Sequence, residues 1–265
     1  MKSFGFYEPT SVRKATQIAA DHSDGKYVAG GQTLLAAMKL RLAAPSDLID
    51  LNAVPEMKAI TADANSVTVG AMARHAEVAA SKEVTSRIKA LAELAGMIGD
   101  RQVRNRGTIG GSIANNDPAA DYPAAVLGLG ATVITDKRKI AADDYFKGVF
   151  QTALDGTELI TGVSFPVPKK AAYMKFRNPA SRFAIVGVFV AQTASGVRVA
   201  VTGAGSKGVF RVKAMEDALA KSWSPDALKG IAVPASQLVS DIHASAAYRS
   251  HLITVMAQRA VAAAG

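Results

Sequence analysis

The chain has 265 residues, 49% hydrophobic and 20% charged, a length of about two domains and a composition that excludes disorder. It has no cysteine, which excludes a disulfide, an iron–sulfur cluster and a thiolate zinc site. Its 31 Lys and Arg against 22 Asp and Glu give a net charge of +9. The basic residues are scattered in short runs without interleaved aromatics. A basic subunit docking on a more acidic partner therefore fits better than nucleic-acid binding.

In chain order, residues 26–29 read as a short strand, broken by Gly30 and Gly31, and residues 32–42 as a helix with Leu34, Leu35, Met38 and Leu42 on one face. A strand, a glycine turn and a helix place free N–H groups and the positive end of a helix dipole at one point, which suits a pyrophosphate. No Gly-Lys-Ser/Thr follows, so this is not a Walker loop. Residues 47–51 form the next strand, making residues 1–51 a small βαβ-like unit. Residues 57–60 and 66–70 alternate as paired strands around a polar turn at 63–65. Residues 74–81 form a short helix. His75 has no metal-ligand spacing and reads as a surface or packing histidine. Ile88, Leu91, Ala92, Ala95 and Ile98 predict a helix over 85–99.

The most informative stretch is 100–123. Gly107, Gly110 and Gly111 are followed closely by Ser112, Asn115, Asn116, Asp117 and Asp121. Bare backbone N–H groups, small polar side chains and a carboxylate suit a large polar cofactor held against main chain. A helix over 124–129 follows, with Pro123 near its first turn. Strands are predicted at 131–135 and 158–165, the latter stopped by Pro166 and Pro168, the best boundary in the chain. Beyond it, strands at 171–177, 183–193 and 197–202 precede helices at 211–220, 225–229 and 244–264, an α+β pattern. Gly203, Gly205 and Gly208 match GxGxxG, but no parallel strand follows, which argues against a dinucleotide-binding unit.

Several motifs recur in a telling order. They are AGGQTL at 29–34 with MKLR at 38–41, DLIDL at 47–51, QVRN at 102–105, GTIGGS at 107–112 and DYPA at 121–124. ELI at 158–160, Lys175, AIVG at 184–187, DIHAS at 241–245 and YRSHL at 248–252 complete the series. Together they resemble the FAD-binding medium subunit of the molybdenum hydroxylases, the xanthine dehydrogenase and carbon monoxide dehydrogenase type.

The resemblance implies an α+β chain. A two-lobed FAD-binding domain of the vanillyl-alcohol-oxidase-like type would span 1–170, with lobes of about 1–55 and 56–170. A small α+β domain would follow at 171–265. It implies cofactor-binding roles for Ala29, Gly30, Gly31, Gln32, Thr33 and Leu34 around the pyrophosphate. Thr108, Ile109, Gly110, Gly111, Ser112 and Asn115 would lie near the flavin and its phosphate tail. Asp121 would accept the flavin ring N–H, Ile160 would pack on the ring and Lys175 would lie near it. Ser112 stands where many relatives carry Asn.

The resemblance implies no catalytic side chain and no metal on this chain. The molybdopterin cofactor would be on a large partner subunit, and two [2Fe–2S] clusters on a small one. The assembly would be a dimer of heterotrimers passing electrons to an external acceptor. With no signal peptide and no apolar run of membrane-spanning length, a cytoplasmic protein is expected. A self-sufficient flavin oxidase of the vanillyl-alcohol oxidase type and a non-redox nucleotide-binding scaffold are the alternatives. The substrate and the acceptor are open.

Overall fold

The computed structural model describes residues 1–265. The chain opens with β1 (Gly5–Tyr7), α1 (Val12–Asp21), β2 (Lys26–Val28), α2 (Leu34–Lys39) and β3 (Asp47–Asp50). The three strands are parallel, with β3 in the middle. Leu48 and Ile49 are both buried, as expected of a parallel strand covered on its two faces. Ser11 caps α1 by accepting the N–H of Lys14. The helix expected over 32–42 is only six residues long. Gly31, with φ +71°, delays its start, and Arg41, with φ +61°, closes its end.

The second region comprises β4 (Ile60–Ala62), β5 (Ser66–Gly70), α3 (His75–Ala80), α4 (Lys82–Arg87), α5 (Lys89–Gly96), α6 (Arg101–Arg104), α7 (Ile109–Asn115) and α8 (Tyr122–Leu129). It continues with β6 (Thr132–Thr135), β7 (Lys139–Ala141), α9 (Ala142–Tyr145), β8 (Phe146–Gly148), β9 (Gln151–Thr152) and β10 (Ile160–Pro166). Five strands pair antiparallel in the order β4-β5-β10-β6-β7. Asp63 turns β4 into β5 by accepting the N–H groups of Asn65 and Ser66. The helix expected over 85–99 is broken at Ile88, which leaves helical geometry and buries its side chain in the core, 1% exposed. α8 is buried along its whole length, a helix enclosed on all sides.

The last region has β11 (Lys170–Arg177), β12 (Ala184–Thr193), β13 (Gly196–Thr202) and β14 (Phe210–Arg211), antiparallel in chain order, then α10 (Lys213–Lys221) and α11 (Ala246–Ala264). Strand alternation divides β12 between two cores. Val186, Val188 and Val190 pack in the cluster with α11, while Phe189 and Ala191 belong to the cluster that contains α8. Gly128 of α8 lies against the Phe189 ring, where a Cβ would meet it at 2.8 Å. The GxGxxG stretch follows an antiparallel strand and leads into β14, not a helix, so it is no dinucleotide site. No helix is long and apolar enough to cross a membrane.

A buried carboxylate pins the turn between β6 and β7 to the start of β10. Glu158 accepts both Arg138 Nε and Nη2 at 2.9 Å, the Thr135 hydroxyl at 2.7 Å and the Asp155 N–H at 2.9 Å. The Arg138 guanidinium, outweighing burial, holds the Glu158 carboxyl down at about 2. A depressed carboxyl contributes stability above its unfolded value and loses it as pH falls through the folded one. Glu158→Gln should therefore lower stability at pH 7 by on the order of 2 kcal/mol, with Arg138 half-exposed and screened. The deficit should vanish as pH falls from 4.5 to about 2, as read by urea denaturation across that range.

Candidate functional site

A cavity of about 780 Å³ opens between the parallel sheet, the antiparallel sheet and the β11–β12 hairpin, within the roughly 300–1,000 Å³ typical of cofactor pockets. All six residues of 29–34 line it. So do Thr108, Gly110, Gly111, Ser112, Asn115, Asp121 and Ile160. Two of the predicted site residues stand back from it. Ile109 is fully buried in the core, with its N–H on the Ala73 carbonyl. Lys175 lies behind Asp121, its side chain 2% exposed.

The glycines serve different ends. Gly30 packs backbone to backbone on the second glycine stretch, and a Cβ there would fall 2.2 Å from the Arg106 carbonyl oxygen. Gly110 packs on Ala71, where an added Cβ would fall 2.6 Å from the Ala71 Cβ. Around Gly111 an added Cβ would meet only Thr108 Oγ1 at 3.0 Å and Ala29 Cβ at 3.9 Å. Gly111 is thus the glycine that leaves room in the cavity rather than between loops.

The donors also divide unevenly. The N–H groups of Gly30, Gly31, Gln32 and Thr33 reach no acceptor in the chain, and four adjacent free donors form an anion-binding surface. Around 107–112 the expectation of bare donors is not met. Thr108 caps α7 and accepts the Gly111 N–H at 3.2 Å. Gly110 donates to the Ala71 carbonyl at 2.9 Å and Ser112 to the Thr108 carbonyl at 3.1 Å. That stretch is a helix start pinned to its neighbours, offering close approach instead of hydrogen bonds.

At the other end, Asp121 is 4% exposed. It accepts the Tyr173 hydroxyl at 2.5 Å on Oδ1 and Lys175 Nζ at 2.9 Å on Oδ2. Burial pushes the Asp121 carboxyl up, against the pull of Lys175 and Tyr173, and pushes the Tyr173 hydroxyl well above the ordinary range. Each carboxylate oxygen keeps a second lone pair for a ligand. Ser181, Arg182 and Phe183 of the hairpin close this end. Arg182 holds φ +64° and donates to the Gly99 carbonyl at 3.4 Å.

The lining also includes residues outside the predicted site, Tyr27 and His75 among them. Tyr27 donates its hydroxyl to the Thr157 carbonyl at 2.9 Å. Of the two readings for His75, surface or packing, the packing one holds: it is buried, and it lines the cavity. Residue 74 forms a bridge with Thr108, and this long-range pairing, invisible in local periodicity, carries His75 to the wall.

A row of free main-chain donors and a buried carboxylate on one cavity suit a nucleotide-type cofactor such as a flavin nucleotide. The family model described as the FAD binding domain in molybdopterin dehydrogenase matches residues 2–168, and the CO dehydrogenase flavoprotein C-terminal domain matches 171–264. The chain belongs to this family of FAD-binding oxidoreductase subunits. The carbon monoxide dehydrogenase medium chain of Hydrogenophaga pseudoflava is 32% identical over 98% of this chain and 96% of its own length. The nicotine 6-hydroxylase medium subunit of Paenarthrobacter nicotinovorans is 34% identical over the same shares. Among solved structures, carbon monoxide dehydrogenase from Hydrogenophaga pseudoflava superposes with a TM-score of 0.89 at 33% identity, covering 99% of this chain and 97% of the other. Quinoline 2-oxidoreductase from Pseudomonas putida 86 superposes with a TM-score of 0.89 at 28% identity, covering 100% and 98%. FAD is the cofactor of this chain, and the free donors at 30–33 with the open cradle at Gly111 fit it.

The two glycines should respond differently to the same substitution. Gly30→Ala forces apart two backbone segments and should cost about 1–3 kcal/mol. Gly111→Ala, in the first turn of α7, should lie within about 1 kcal/mol of wild type, since better helix propensity offsets the Thr108 contact. Thermal unfolding of the flavin-free chain measures both.

Proposed function

We propose that this chain is the FAD-carrying electron-transfer subunit of a molybdenum-containing hydroxylase. It takes electrons from [2Fe–2S] clusters on a small partner subunit and passes them to an external acceptor. A large molybdopterin subunit oxidises the substrate, and the whole is a dimer of heterotrimers. The observation that carries this reading is the row of free N–H groups at 30–33, facing a cavity that ends at the Asp121–Lys175 pair. The near-complete coverage of medium chains by this chain supports it, and a chain without cysteine leaves the clusters to a partner.

FAD, when bound, supplies the electron-carrying chemistry; the chain's residues hold and tune it. Residues 29–34 grip the diphosphate, and Thr108, Gly110, Gly111, Ser112 and Asn115 border the flavin and its tail, with Ile109 supporting them from the core. Asp121 accepts the ring imide N–H, and Ile160 packs on the ring. Lys175 acts through Asp121, cancelling its charge, so the carboxylate orients the ring without adding a net negative charge beside it. The division at 1–170 and 171–265 gives the hairpin of the second domain a covering role over the first.

Acid denaturation should release all the FAD, unattached to the chain. In the purified complex, substrate should bleach the flavin through the partner clusters. Flavin left on the chain, or a chain oxidising substrate alone at full rate, would refute the reading. Gly111→Val should fold yet lose at least about tenfold in FAD affinity, its side chain filling the cradle.

The position of Arg182 over the cavity favours a gating role for the hairpin. Arg182→Ala should change flavin reoxidation by the acceptor while leaving reduction by the partner clusters within about twofold, a loss of no more than a few tenths of a kcal/mol. Stopped-flow measurement of the two half-reactions separates these outcomes.

A further inference from the structure

His75 has no part in the reading above. It opens α3 on the cavity wall and is 5% exposed. Its ring lies against Tyr122, with centroids 5.3 Å apart. Its other edge meets Gly107, where an added Cβ would fall 2.5 Å from Nε2. Gly107 in turn abuts Gly30, and Tyr122 follows Asp121. The imidazole thus lines the cavity beside the Gly30–Gly107 contact and against the ring of the residue that follows Asp121. Nδ1 is enclosed without any hydrogen-bond partner, so Nε2 is the nitrogen left to the cavity side.

The proton position follows from these surroundings. An enclosed N–H without an acceptor is rarer than an enclosed lone pair without a donor, so the neutral ring carries its proton on Nε2. Burial, with Arg104 adding to it, holds the imidazole down at about 4, and the ring is neutral at pH 7. We propose that His75, as its Nε2–H tautomer, donates a hydrogen bond to an oxygen of the ribityl–phosphate segment of FAD. The proposal rests on the FAD reading. It adds a neutral ring donor to the main-chain N–H row and the carboxylate that the chain offers the cofactor.

Titration of FAD onto the flavin-stripped full chain, followed by quenching of FAD fluorescence, tests it. Nitrogen-15 NMR of the wild-type imidazole accompanies the titration. Wild-type binding judges the FAD reading by itself; the variants judge the histidine. His75→Phe should keep the melting temperature and bind FAD about fivefold to tenfold more weakly, the loss of one neutral hydrogen bond. His75→Gln, which retains an N–H donor, should stay within about threefold of wild type. The wild-type ring should show the Nε2–H form, with shifts that move when FAD is added. Unchanged affinity in His75→Phe, an Nδ1–H ring or shifts indifferent to FAD would overturn the proposal. If His75→Phe does not fold, the wild-type shifts decide.

Discussion

The cavity depends on one backbone contact. Gly30 rests on the Arg106 carbonyl and the Cα of Gly107, with no side chain between. That contact sets the spacing between the parallel-stranded lobe and the lobe built on the antiparallel sheet. It also leaves the N–H groups of 30–33 pointing where no protein acceptor lies. Donors of this kind are costly to bury unpaired; open to a cavity and met by an anionic diphosphate, they become the strongest recognition element available to main chain.

The opposite end is held from the C-terminal side. The loop carrying Asp121 is tied to the end of β13, where the Gly203 N–H and the Thr202 hydroxyl donate to the Pro118 carbonyl at 2.8 and 3.1 Å. β11 then supplies both partners of the carboxylate, Tyr173 and Lys175. A buried carboxylate with its cation removed is strongly unfavourable, so Asp121 and Lys175 act as one unit. The sheet that supplies the cation thereby sets the electrostatics at the Asp121 end of the cavity.

Much of this was legible in the sequence because local chemistry dictated it. The glycine break after β2, the Asp63 turn, the prolines after β10 and the alternation of β12 are local signals. The order of the short motifs, too, is a property of the sequence alone. What was not legible depended on distant partners. Whether Gly110 offered a free donor turned on Ala71, some forty residues earlier. The break at Ile88 reflects a side chain drawn into the core against an unbroken apolar stripe. The position of Lys175 behind Asp121 depends on how β11 packs against the Asp121 loop, which no local signal encodes.

α8 and β12 carry a further consequence. α8 is enclosed on all sides, and the side of β12 bearing Phe189 and Ala191 belongs to the same core. Arg198, in β13, donates to the Leu127 carbonyl at 2.7 Å and to Asp143 at 2.6 Å, crossing the same boundary. The two halves are thus contiguous in sequence but interlocked in space. Recombination that exchanged the C-terminal half for that of a distant relative would have to re-match Gly128 to residue 189 and Arg198 to Asp143 at once. Inheritance of the two halves as a single block is the arrangement this interlock favours.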